Sequence, residues 1–240
     1  MVVWGDRFHF GRLLIVPVGL WVLIHLLETY LIGVVEDTWV QIGLSFIAII
    51  PASIIFTIFA IPCHRSILIG KHVVPQFGFG GWAMRETQFL LRFTGIYIIG
   101  LLMMFSPILV LAMGGSAFVP PQISGPFFGS WLLLMVIAFF PIVGRLSLIL
   151  PSIALNLDQD FSSVWALSIG NGWRLGILVA GIPVAFLFLP TIIGDLSMEK
   201  FGFGATIIYE IAHCFLILIE VAILSISYQK LVKWKVGAAS

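Results

Sequence analysis

The sequence predicts an all-α integral membrane protein, with six transmembrane helices and interfacial helices on the cytoplasmic side, as a single polytopic domain over residues 1–240. Three observations predict it. Of the 240 residues 60% are apolar and only 10% are charged, and mean hydropathy is +1.15. A soluble domain carries roughly 25% charged residues, and so few charges could not furnish its hydrated shell. Six stretches reach the length of about 20 apolar residues that crosses a hydrocarbon core. Their connections carry Lys and Arg very unequally. Net charge is +1 with no basic face, so nucleic acid is not an expected partner.

The spans follow in order. Residues 13–35 follow Arg7 and Arg12, but their length and the lack of a small-x-small cleavage site make them a retained first helix instead of a secretory signal. Glu36, Asp37 and Thr38 form little more than a turn before the second span, 39–61. The third and fourth spans, 93–115 and 127–150, flank a loop from Gly114 to Pro126 that Pro120 and Pro121 stiffen. The fifth and sixth, 175–194 and 205–229, flank a connection holding Asp195, Glu199 and Lys200. None shows the period-2 alternation of a barrel strand, so each is a helix that satisfies its own backbone in lipid.

Arg7 and Arg12, then Arg65, Lys71, Arg85 and Arg92, then Arg145 and Arg174, and finally Lys230, Lys233 and Lys235 all fall on one side; Lys200 alone falls on the other. The positive-inside rule makes that side, with both termini, cytoplasmic.

The two inner connections stay apolar and aromatic. Phe77, Phe79, Trp82 and Phe89 alternate with Gly78, Gly80 and Gly81 in one, and Phe161, Trp165 and Trp173 punctuate the other, as in segments lying among headgroups. Asp160 or Ser162 is expected to cap a short interfacial helix through Trp165, and Asn171-Gly172 to stop it in a left-handed turn. Gly172, Gly176 and Ala180 make a small-residue ridge, for packing inside the bundle or for a dimer face. Residues 59–69 and 140–150 resemble each other, and each is followed by a Gly-Trp and an arginine. The recurring Arg65, Arg85, Arg145 and Arg174, with Trp82 and Trp173, either hold lipid phosphates or anchor helix depth.

The stretch from Arg145 to Asn156, the run from Phe161 to Arg174 and the earlier His64-Arg65 with Ile67 to Gly70 resemble a broad group of uncharacterised bacterial six-helix inner-membrane proteins. They have in common an arginine, an apolar run ending in Leu-Pro-x-x-Ala, a Trp-bearing helix and a Gly-Asn-x-Trp-Arg-like entry to the next span. A more distant likeness is to the membrane domain that precedes some glycerophosphodiester phosphodiesterases. The resemblance implies a six-helix domain in the bacterial cytoplasmic membrane and no particular activity.

Ionisable residues within spans default to functional hypotheses. His25 and Glu28 share one face of the first span; Glu210, His213 and Glu220 share a stripe of the sixth. If these spans are antiparallel, Glu28 and Glu210 lie at one depth with both imidazoles slightly deeper, and Glu220 about two turns or more deeper still. Glu210-Ile-Ala-His213 has the Glu-x-x-His form of di-iron bundles, but its counterpart is reversed and only Glu220 is left over, so no metal site is expected. The group reads as a satisfied structural cluster or as a proton or cation relay. Cys63 and Cys214 lie at different depths and are expected to stay thiols; His64 and His72 are expected near the inner surface.

The expected function is non-enzymatic, without catalytic residues, metal or cofactor: a structural, lipid-facing or accessory component whose partners are membrane lipids and either a membrane protein or a second copy. The alternative is a small-solute or proton-coupled transporter using the intramembrane His/Glu cluster.

Overall fold

The computed structural model describes residues 7–74, 81–112, 130, 134, 137–157 and 159–238, with backbone alone at 7, 42, 71, 101, 103–112, 183–184, 186–203, 205–206 and 234–238. Every long element among them is helical: α1 (Arg7–Val34), α2 (Thr38–Leu68), α3 (Met84–Ala112), α4 (Ile137–Ala154), α5 (Phe161–Leu167), α6 (Gly172–Gly176) and α7 (Ile182–Ala238). Segments of α1, α2, α4 and α7 are long and apolar enough to cross a membrane. The loop from Gly114 to Pro126 and the aromatic-glycine stretch at 77–80 lie outside the described residues.

Local chemistry explains the first hairpin. Asp37 ends the turn with extended backbone, and its Oδ1 accepts from Trp39 N at 2.8 Å and Val40 N at 3.1 Å, capping α2. Gln41 Nε2 donates back to Ile32 O and Val35 O, satisfying carbonyls freed at the end of α1. α2 runs past the expected end at 61 because Pro62 does not break it, and it stops where Gly70 adopts φ of +121°.

The pairings Trp21 with Glu210 and His64 with Ser225 set α7 antiparallel to α1 and co-directional with α2. The buried core sits at one end of the bundle. It joins Phe10 and Leu13 of α1, Phe59 and Ile61 of α2, Phe89 of α3, Leu148 and Ile149 of α4, Val164 of α5, and Leu218, Val221 and Leu224 of α7. Away from that end the helices present large apolar side chains outward, among them Leu23, Leu27, Phe46, Ile47, Phe215 and Ile219. Lipid, not water, suits such a surface.

Two expectations change, and one is decided between its alternatives. Residues 195–204, expected to be an irregular connection, have helical backbone within Ile182–Ala238, although the core shared by Leu175 and Leu224 requires the chain to reverse between them. No proline follows Pro190 there, and Leu196, Met198, Glu199 and Lys200 are good helix formers. The left-handed stop is Gly170, with φ of +82°, one position before Asn171; a glycine takes that conformation without the Cβ clash that asparagine would meet. The small-residue ridge is spent inside the bundle: a Cβ on Gly176 would run into the Phe140 carbonyl, and one on Gly144 would stand 2.7 Å from Gly176 Cα. That close backbone passage is why α4 and α6 need glycine on both sides. A π-helical turn, Ile177–Gly181, then joins α6 to α7.

Candidate functional site: an intramembrane polar cluster and a cationic helix end

Four of the five ionisable residues singled out in the spans come together. On α1, His25 Nδ1 lies 3.2 Å from Glu28 Oε2; on α7, His213 Nδ1 lies 3.9 Å from Glu210 Oε2. The bridge between the pairs is Trp21, a residue that sequence reasoning passed over. Its Nε1–H donates to Glu210 Oε2 at 2.9 Å, and its indole lies between the imidazoles, 4.8 Å from the His25 ring and 5.6 Å from that of His213. Tyr209 packs 6.1 Å from His213, and Tyr97 of α3 lies within electrostatic reach of Glu28. The cluster therefore draws on three helices. The signal for Trp21 was available: it lies one helical turn before His25, on the same face.

Glu220 stands apart. Ten residues at 1.5 Å each put it about 15 Å along α7 from Glu210, and its Oε1 is buried with no hydrogen-bond partner. Between the two lies an apolar cleft lined by Leu14, Pro17, Val18, Ile55, Phe59 and Ile217, among others.

At the compact end, His64 is fully buried, not near the surface as expected; His72 is exposed. His64 Nδ1 lies 2.7 Å from Ser225 Oγ, and that hydroxyl lies 2.8 Å from Val221 O. One hydroxyl proton cannot serve both contacts, and under either tautomer His64 Nε2 stays unpartnered. His9 Nε2 meets Ser66 Oγ at 3.0 Å close by. Cys63 and Cys214 are both free and buried.

The arginines divide by partner. Arg65 Nη1 donates to Ala154 O at 3.1 Å, closing the end of α4. Arg85 Nε donates to Glu86 Oε1 at 2.9 Å, while Glu86 Oε2 accepts from Ala83 N and caps α3. Arg145 Cζ sits 4.5 Å over the Trp165 ring; Arg92, absent from the expected set, sits 4.6 Å over Phe161. Arg174 and Trp173 are exposed, and exposed Trp82 donates to Thr87 Oγ1. Asp160 caps α5 as expected: its Oδ1 accepts from Ser163 N and its Oδ2 from the Ser162 hydroxyl, and these bonds hold its carboxyl below the ordinary range.

Among the described residues no group of three or more His, Cys, Asp and Glu has a geometry that could hold a metal. No family model matches the chain, and no curated protein or solved structure matches it.

Proposed function

We propose that the chain is a non-enzymatic component of a cytoplasmic membrane, a structural or accessory bundle that packs with lipid and with other membrane proteins. The observation that carries this reading is the pairing of four of the five ionisable side chains at bilayer depth, Glu210 with Trp21 and His213, and His25 with Glu28, beside a cleft lined with hydrocarbon, while His25 Nε2 and Glu220 Oε1 stay buried without a partner among the described residues. Paired groups of this kind lower the cost of polar side chains in lipid and fix how α1 meets α7.

The membrane arrangement proposed with it has six crossings and both termini inside. Leu175, just ahead of α7, and Leu218, Val221 and Leu224 late in it share one buried core, whereas a straight helix would hold Leu175 and Leu224 about 70 Å apart, so the chain doubles back within Ile182–Ala238. Asp195, Glu199 and Lys200 near its middle mark where the chain would leave and re-enter the bilayer. Reporter fusions after residues 37, 120 and 198 test this; an inward signal from any of them contradicts the orientation.

A second reading, proton-coupled transport of a small solute, draws on the gathering of two imidazoles, two carboxylates and two phenols from three helices. Proteoliposomes enclosing a pH-sensitive dye, with a valinomycin potassium potential, separate the two. Proton flux no faster than in protein-free vesicles is expected. Flux that Glu210→Gln abolishes would replace the accessory reading with the transport one.

A further inference from the structure

At the compact end of the bundle the described guanidinium groups outnumber the carboxylates that face them. Arg85 is taken by Glu86, and Asp160 is engaged by Ser162 and Ser163. For Arg92 and Arg145, no carboxylate among the described residues stands within ion-pair distance. Each is held instead by an aromatic ring of α5, Arg92 over Phe161 and Arg145 over Trp165. Those rings are four residues apart, one turn of a single short helix, so both cations are seated on α5, one from α3 and one from α4.

The seat under Arg145 is built. Trp165 covers one side of the guanidinium, and on another the Gly172 backbone comes so close that a Cβ there would collide with Arg145 Nε. That Nε is buried without a partner. The cation is thus fixed in place and partly desolvated, yet no carboxylate among the described residues neutralises it, an arrangement that costs free energy until an anion arrives. A guanidinium presents a planar fork of donors that matches two oxygens of one phosphate. Trp165, under the guanidinium, and Trp173, next to Gly172 in sequence, are 39% and 47% exposed, the half-buried state of indoles in the headgroup layer.

The geometry points to a phosphate seat for an anionic lipid headgroup, formed by Arg92 and Arg145 on the two rings of α5. It rests on the reading of the chain as a lipid-facing membrane component and names the lipid class and the residues that take it. Arg65 and Arg85, whose donors are engaged within the protein, are outside the seat.

Native mass spectrometry of the full chain, released from micelles doped with phosphatidylglycerol or phosphatidylcholine, tests the seat. Phosphatidylglycerol is expected to be retained in preference. Arg92→Gln, on an exposed side chain that leaves the core intact, should lower that retention about fivefold, the worth of one cation at an anionic surface. Arg145→Lys keeps the charge but loses the fork and should fall between wild type and Arg145→Gln. Equal retention of the two lipids, or retention unchanged by Arg92→Gln, overturns the seat. Displacement of phosphatidylglycerol by equimolar inorganic phosphate would make it a free-phosphate site and overturn the lipid assignment. Proton flux in the dye-loaded vesicles would overturn the accessory reading while leaving this lipid preference in place, so the two failures are distinguishable.

Discussion

Substituting Gly144 by alanine tests the tightest packing in the structure. The added methyl would stand 2.6 Å from Leu175 C and 2.7 Å from Gly176 Cα, whereas carbon atoms pack at about 3.5–4.0 Å. Both obstacles are backbone, so no rotamer change makes room, and α4 and α6 must part by about 1 Å. A gap of that size forfeits roughly a quarter to a half of each contact's attraction along the seam, where Val143, Leu148 and Leu175 are buried. Overpacking of this kind costs about 3 kcal/mol, which corresponds to a drop in Tm of roughly 6–12 °C for a chain of this size. The control is Gly95→Ala on α3, where nothing lies within 4 Å of the new methyl and removing a helical glycine should stabilise by about 0.5–1 kcal/mol. Thermal unfolding in detergent, followed by tryptophan fluorescence, reads both. An unchanged Tm for Gly144→Ala, or an equal loss for Gly95→Ala, would refute the argument from backbone contact.

Three further outcomes are expected. Trp21→Phe removes the donor to Glu210 and should cost about 2 kcal/mol; in a Glu210→Gln background the penalty should shrink, and an equal penalty in both backgrounds would show that the indole acts by volume alone. Ser225→Ala strips His64 of its remaining partner at a cost of about 2 kcal/mol, while His64→Leu with Ser225→Ala should regain most of it, because no buried polar atom of the pair is then left unsatisfied; a double mutant as unstable as the sum of the singles contradicts this. Asp160 has a carboxyl held low by its cap bonds, so the cap contributes fully above the ordinary carboxylate range and is lost as pH falls through the lowered value. Amide exchange at Ser163 and Val164 should accelerate in acid for wild type and much less for Asp160→Asn; identical acid profiles would show that the cap does not govern α5.

Much of the polar cluster was legible because helical arithmetic depends only on spacing. Residues three apart share a face, and 1.5 Å per residue sets Glu28 against Glu210 once α1 and α7 run in opposite directions. The same arithmetic separates Glu220 from the others. Trp21 was harder to see, since an indole in an apolar run reads as hydrocarbon until a carboxylate appears beside its N–H. The burial of His64 was illegible for a similar reason: its depth depends on Ser225, 161 residues away. The capping role of Asp160 follows from local chemistry and was readable, whereas the use of Arg92 and Arg145 depends on where α5 docks. The helical backbone at 195–204 forms despite Gly194, Gly202 and Gly204, which a hydropathy reading takes for a break.

The π-helical turn at Ile177–Gly181 acts as a phase-setter for the start of α7. Five residues there close a loop that four would close in an ordinary helix, so one extra position is wound in before α7 begins. The first turns of α7 keep their angular bearing on α4 because that position is present. Deleting one residue within the turn would convert it to ordinary helix and swing the start of α7 by about 100°, turning Ile182 away from the bearing set by the close passage of Gly176 past Phe140.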